Sequence, residues 1–299
     1  MRKIYVKNIG IIVRTFAMKE SDIPRRCDMA VALVRKAAAI NVPNQLGRFK
    51  LVEIVVWSDP RFNSDCGKTA AALRERMQAE GLQQHCRISE EKKGDLYCGL
   101  LNRAVVKQVR AGCDFSMIIS PESGGYLTQE NFESMWNAFA AGANVAGMAI
   151  SEITDSILEG RIGNAFSMWD NLALIGVGGF DMRAAKPHSQ IERFHPSMRG
   201  MTPDGREVAY HLAGVEEMIP LARLVSDFGQ CIAPILPSNE SMRYKEPDPK
   251  TQPELAERHR KKIATKLERQ TALLQSIGML VSWVKGGVMK DYRNPRVFD

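Results

Sequence analysis

The sequence predicts an α/β fold: a mostly parallel central sheet with helices on both faces. Short β-branched runs alternate with segments of helical period through residues 9–150, the pattern that strand–helix–strand units produce. The runs are apolar nearly throughout, as expected of strands buried on both faces. A length of 299 residues, with 44% hydrophobic and 25% charged residues, suits one large α/β domain with an added arm.

Each element follows from local chemistry. "IGIIVRTF" (9–16) is the first strand, and a helix follows near Asp22–Ile40 with Ser21 or Asp22 as its cap and Pro24 in its first turn. "LVEIVVWSD" (51–59) is a second strand, and "TAAALRERMQAEG" (69–81) a helix closed by Gly81. "QHCRIS" is a short third strand, "GLLNRAVVKQVRAG" (99–112) a helix ending at Gly112, and "FSMIIS" a fourth strand. "TQENFESMWNAFAAG" is a helix capped by Thr128, and "NVAGMAIS" a further strand. Beyond residue 150 the pattern becomes irregular through "NAFSMWDNLALIGVGGFD", and a polar stretch with Pro and His runs to about 207. "GVEEMIPLARLVSDFG" (214–229) reads as a helix and "QCIAPIL" as a short strand. Pro and charge accumulate over 237–254. The organisation is therefore a domain over 1–240, a linker over 241–254 and a C-terminal helical arm over 255–299.

A net charge of +7 and a pI near 9.1 suit an anionic ligand, an acidic membrane surface or nucleic acid. Nucleic acid is disfavoured, because the basic residues are not interleaved with aromatics on a recognised module. Six cysteines without a C-x-x-C pair point to reduced thiols and a cytoplasmic setting. The opening "MRKIYVKNIGIIVRTFAM" superficially suggests a signal peptide, but Lys7 and Arg14 interrupt its apolar run. No stretch approaches the roughly 20 apolar residues of a membrane span. The arm contains "RHRKKIATKLER" with apolar residues at helical spacing. Such a helix packs on its own domain, pairs with another subunit, or lies peripherally on the inner face of an anionic membrane. Packing or pairing is the default, since charge runs usually mark a solvated helix face.

Some motifs dissolve on inspection. "CGKT" (66–69) lacks the first glycine of a phosphate loop, where Phe62 stands. The five histidines and six cysteines show no zinc spacing. "GVGGF" (176–180) lacks the strand-then-helix context of a dinucleotide fingerprint, so its glycines form a tight turn.

Taken in order, "IIVRTF", "EIVVWSD…SDCGKT", "KGDLYCGLLNRA", the acidic strand end "SPE", "GGFD" and "GVEEM" resemble the GT-A glycosyltransferases. The likeness is to the large inverting family that includes cellulose-synthase-like and capsule-sugar enzymes, and it covers about four-fifths of the chain. The resemblance implies a GT-A-like, Rossmann-like sheet whose carboxyl edge binds a nucleotide-sugar donor. Thr15, Phe16, Ala17 and Asp59 would contact the nucleoside, with Gly94 and Asn102 beneath the nucleotide. The family's Asp-x-Asp becomes Ser120-Pro121-Glu122, so Ser120 takes the first carboxylate's place and Glu122 stays as ligand for Mn²⁺ or Mg²⁺. Inverting transfer needs a base beside the acceptor hydroxyl; Glu217 holds that place in "GVEEM", next to Glu216, and Asp181 lies by the acceptor cleft. The bland reading of the two glutamates is a helix-start pair favoured by the helix dipole. Trp169 either stacks on a sugar or belongs to the core. The acceptor, whether glycan, lipid or protein, is not specified.

Two other readings stay open. A catalytically silent module of the same fold would bind nucleotide, glycan or protein, and the Ser-Pro-Glu triplet favours it. A sugar nucleotidyltransferase would need a glycine-rich loop after the first strand, which "VRTFAMKESD" lacks.

Overall fold

The computed structural model describes residues 7–42, 47–57, 66–91, 96–149, 162–181, 199–201, 207–209, 217, 219–221, 223–224, 231–235 and 248–257. In chain order these form β1 (Lys7–Thr15), α1 (Ile23–Ala39), β2 (Gly47–Trp57), α2 (Cys66–Ala79), β3 (Cys86–Glu91), α3 (Leu96–Arg110), β4 (Phe115–Ile119), α4 (Gln129–Ala140), β5 (Ala143–Ala149), β6 (Ile162–Asp170), α5 (Asn171–Gly176), β7 (Arg199–Met201), β8 (Glu207–Ala209) and β9 (Cys231–Ile235). One-sided patterns of burial explain the helices. In α1 the buried residues Cys27, Ala30, Val31, Leu33, Val34 and Ala37 recur at three- and four-residue steps. Thr128 accepts a hydrogen bond from the Asn131 N–H and starts α4. Gly81 and Gly112 follow α2 and α3 with φ of 67° and 78°, the left-handed geometry that ends a helix.

Seven strands form one sheet in the order β3-β2-β1-β4-β6-β5-β9, with β7 and β8 as a separate antiparallel pair. Every pairing among β1, β2, β3 and β4, and that of β5 with β9, is parallel; β6 runs antiparallel to both its neighbours. Strand residues alternate between faces. Ile9, Ile11, Val13, Ile54, Val56, Met117 and Ile119 share one core with residues of α1, α2 and α4. The other face carries Gly10, Ile12, Glu53, Trp57, Ser116 and Ile118, and meets α3, whose Lys107 pairs with Glu53. The fold is the mostly parallel α/β arrangement, helices on both faces, that the GT-A resemblance implies.

One expectation changes and one open choice is decided. "NAFSMWDN" is not irregular: it is β6 and the start of α5. Asn, Ser and Asp dilute its strand character, and a strand with neighbours on both sides shows no alternation, so pairing to β4 and β5 defines it. Trp169 belongs to the core, fully buried, its Nε1 donating to Ser167 Oγ at 2.8 Å and its ring edge-on to Phe180 at 5.3 Å. Most of the expected arm, with the linker residues before 248, lies outside the described residues. Among the described residues, no helix is long and apolar enough to cross a membrane.

Candidate functional site

The site begins where β1 and β4 end. Val13 pairs with Ile119, so the carboxyl ends of these neighbours lie side by side. From β1 the chain goes to β2 on one side, whereas from β4 it goes to β5 on the other. The strand order reverses there, and it is beyond the carboxyl ends at such a reversal that open α/β sheets bind ligands.

Thr15 closes β1 and is 1% exposed, and its hydroxyl has no hydrogen-bond partner among the described residues. By strand alternation it lies on the α1 face, with Val13 and Ile11. Phe16 leans on Trp57, the last residue of β2, at 4.7 Å between centroids. Ala17 is buried beside it.

The Arg26 guanidinium, from the first turn of α1, sits 5.6 Å from the Phe16 ring centre and donates through Nη1 to Glu122 Oε1. Glu122 belongs to a short 3-10 turn, Pro121–Tyr126, that follows β4. Ser120 caps that turn: its Oγ accepts from the Ser123 N–H at 3.2 Å and donates to Ser123 Oγ at 2.9 Å. Lys36 donates from α1 to the Gly124 carbonyl at 3.0 Å, fixing helix against turn. Burial pushes the Glu122 carboxyl up. Its own backbone N–H, the Arg26 hydrogen bond and charge, and the charge of Arg25 outweigh this and hold it below the usual carboxylate range. The acidic residue and glycines after β4 thus form a capped turn that delivers one carboxylate to Arg26.

A second group lies on the α3 face. Both ends of the Asn102 amide are committed to Phe180: Nδ2 donates to its carbonyl and Oδ1 accepts from its N–H, each at 2.8 Å. Gly179 permits this, because with φ of 71° a Cβ there would stand 2.6 Å from Asn102 Oδ1. Asn102, expected beneath a nucleotide, clamps the turn that presents half-buried Asp181. Arg223 donates to the Val177 carbonyl at 3.0 Å and ties the segment carrying Glu217 to the same turn. Glu217 is 3% exposed, and its carbonyl accepts from Leu221 N–H at 3.0 Å. Asp59, Gly94 and Glu216 lie outside the described residues.

These groups fit a divalent cation poorly. Hard cations take six or more oxygen ligands, often several carboxylates. Here Glu122 is spent on Arg26 and the Ser120 hydroxyl on Ser123. Among the described residues, no three His, Cys, Asp or Glu side chains gather as a metal-binding group.

Sequence reasoning missed Arg26 and Trp57. Arg26 did leave a signal: "PRRCD" puts two arginines in the first turn of a helix, where the macrodipole disfavours cations unless an anion answers them.

No family model and no curated protein matches the chain. Among solved structures it is similar to the crystal structure of S. aureus TarS 1–349, at 9% identity and a TM-score of 0.42, over 97% of this chain and 90% of that one.

Proposed function

We propose that the protein is a glycosyltransferase moving a sugar, with inversion, from a nucleotide-diphosphate donor to an acceptor. The carrying observation is the reversal of strand order between β1 and β4, at whose carboxyl ends stand Thr15, Phe16 and the Ser120–Glu122 turn, with Arg26 bonded to Glu122 and beside the Phe16 ring. It gives a nucleoside an aromatic neighbour and a diphosphate a cation. The order of the sequence motifs and the basic charge support the same reading. In it, Glu217 takes the acceptor proton and Asp181, steadied by the Asn102 clamp, orients the acceptor. One feature favours a second reading, a donor-binding module without turnover: the Ser-Pro-Glu turn, with its carboxylate already neutralised.

The test is release of nucleoside diphosphate from a panel of nucleotide sugars, with water as surrogate acceptor, and NMR detection of the first anomer formed. The glycosyltransferase reading expects release with inverted configuration. Glu217→Gln should lower it at least about 100-fold while donor binding persists, since only the base is lost. Binding without release from any donor selects the silent module, and no binding of any donor sinks both readings.

A further inference from the structure

We propose that Arg26, and not a divalent cation, supplies the counter-charge for the donor's diphosphate, with Glu122 as the residue that positions it. This rests on the donor-site reading and adds how that site neutralises its ligand.

Charge is the first argument. The first turn of α1 contains Arg25 and Arg26 and no acidic residue, at the end of a 17-residue helix that is already positive. The carboxylates around it are occupied. Glu20 pairs with Lys68, Asp22 accepts from the Lys19 N–H, and Asp28 takes Arg76. Among the described residues, Glu122 is the one carboxylate bonded to Arg26, whose side chain is only 13% exposed. A guanidinium so desolvated needs anionic partners, and one carboxylate leaves the two arginines in excess.

Geometry is the second. The bond to Glu122 employs Nη1, and the guanidinium carbon lies over the Phe16 ring, 5.6 Å from its centre. A guanidinium has five donors in a rigid fork that matches phosphate oxygens. Held at one corner by Glu122, Arg26 keeps its other donors for an oxyanion.

The third argument is independent of Arg26. The Thr15 hydroxyl, 1% exposed and without a partner among the described residues, lies one residue from the ring that Arg26 covers. A buried hydroxyl without a partner costs free energy that a ligand oxygen would recover. A cation at Glu122, in contrast, would have to displace Arg26 and then sit beside its charge.

The experiment is calorimetric titration of the full chain with the diphosphates of uridine, guanosine, adenosine, cytidine and thymidine, in EDTA and again in Mn²⁺. The wild type should bind its preferred diphosphate with affinities within about twofold in the two buffers. Arg26→Gln should lose about tenfold or more in both, the scale of a charge-assisted bond. Arg26→Lys keeps the charge without the fork and should fall between them, which preserves the test if the glutamine variant folds poorly. Glu122→Gln should weaken binding less than Arg26→Gln, and equally in both buffers. Wild-type affinity that rises tenfold with Mn²⁺, the gain vanishing in Glu122→Gln, would overturn this proposal and leave the donor site standing. Absence of binding in both buffers would overturn the proposal and the donor-site reading together.

Discussion

Arg26 and Glu122 stand 96 residues apart in sequence, and neither has an evident purpose alone. One is a cation at the wrong end of a helix, the other a half-exposed acid in a turn. Together they make an ion pair whose carboxyl is held below its usual range. The sign of the linkage follows. A depressed carboxyl adds stability that is present above its unfolded value of 4.5 and is lost as pH falls through the lower folded value. In Arg26→Gln, carboxyl NMR should show Glu122 titrating higher, and the acid unfolding curve should lose part of its slope below pH 4.5. An unmoved Glu122 resonance would mean that the pair is not formed in solution. Cys113 behaves oppositely: burial pushes its thiol from 9.0 up to about 11, opposed by Lys50 and assisted by Asp114. A raised thiol pKa adds stability that is complete below pH 9 and lost as pH rises through about 11. Cys113→Ala should therefore show a shallower decline in urea midpoint between pH 9 and pH 11 than the wild type.

Among elements, the close approach of α3 to β1 depends on an absent side chain. A Cβ on Gly10 would fall 1.7 Å from Gln108 Oε1, which itself accepts from Cys113 Sγ at 3.0 Å. Gly10→Ala should cost about 1–3 kcal/mol, as overpacking does. Gln108→Ala in the same chain should return part of the loss, so the double-mutant cycle should be non-additive. Additive urea-unfolding energies would mean that the glutamine simply swings away. Thr128→Ala should cost about 1 kcal/mol through the lost cap of α4.

The elements also divide by how openly the sequence declares them. β1, β2 and β4 were readable because apolar runs, interrupted only by Glu53 in "LVEIVVW" and Ser116 in "FSMII", fit a central strand covered on both faces, and the left-handed glycines 81 and 112 closed their helices as expected. β6 was hidden because its strand character comes from two flanking partners rather than from propensity. Trp169 could not be placed from sequence, since a core indole and a sugar-stacking one are the same residue type until burial is known. Thr15, Phe16, Ala17, Ser120 and Glu122 were named by resemblance, and the register of β1 with β4 puts the ends of their two strands side by side. The Asn102 clamp on Phe180 and the Arg26 pair join residues 78 and 96 positions apart, which no local pattern encodes.

For the whole molecule, the reversal of strand order between β1 and β4 is what turns separate residues into a site. Beside it stand a cation and an aromatic ring, and β1 ends on a buried hydroxyl with no partner among the described residues, on a basic chain with net charge +7. A ligand held there binds the folded state alone and should stabilise it. The measurement that tests the central claim most directly is hydrogen–deuterium exchange on the full chain, with and without a saturating nucleoside diphosphate. The expected result is slower amide exchange over residues 15–26 and 120–126, the two segments at the reversal of strand order, while β7 and β8 remain unchanged. Saturated binding that leaves both segments unprotected, with protection elsewhere, would contradict it.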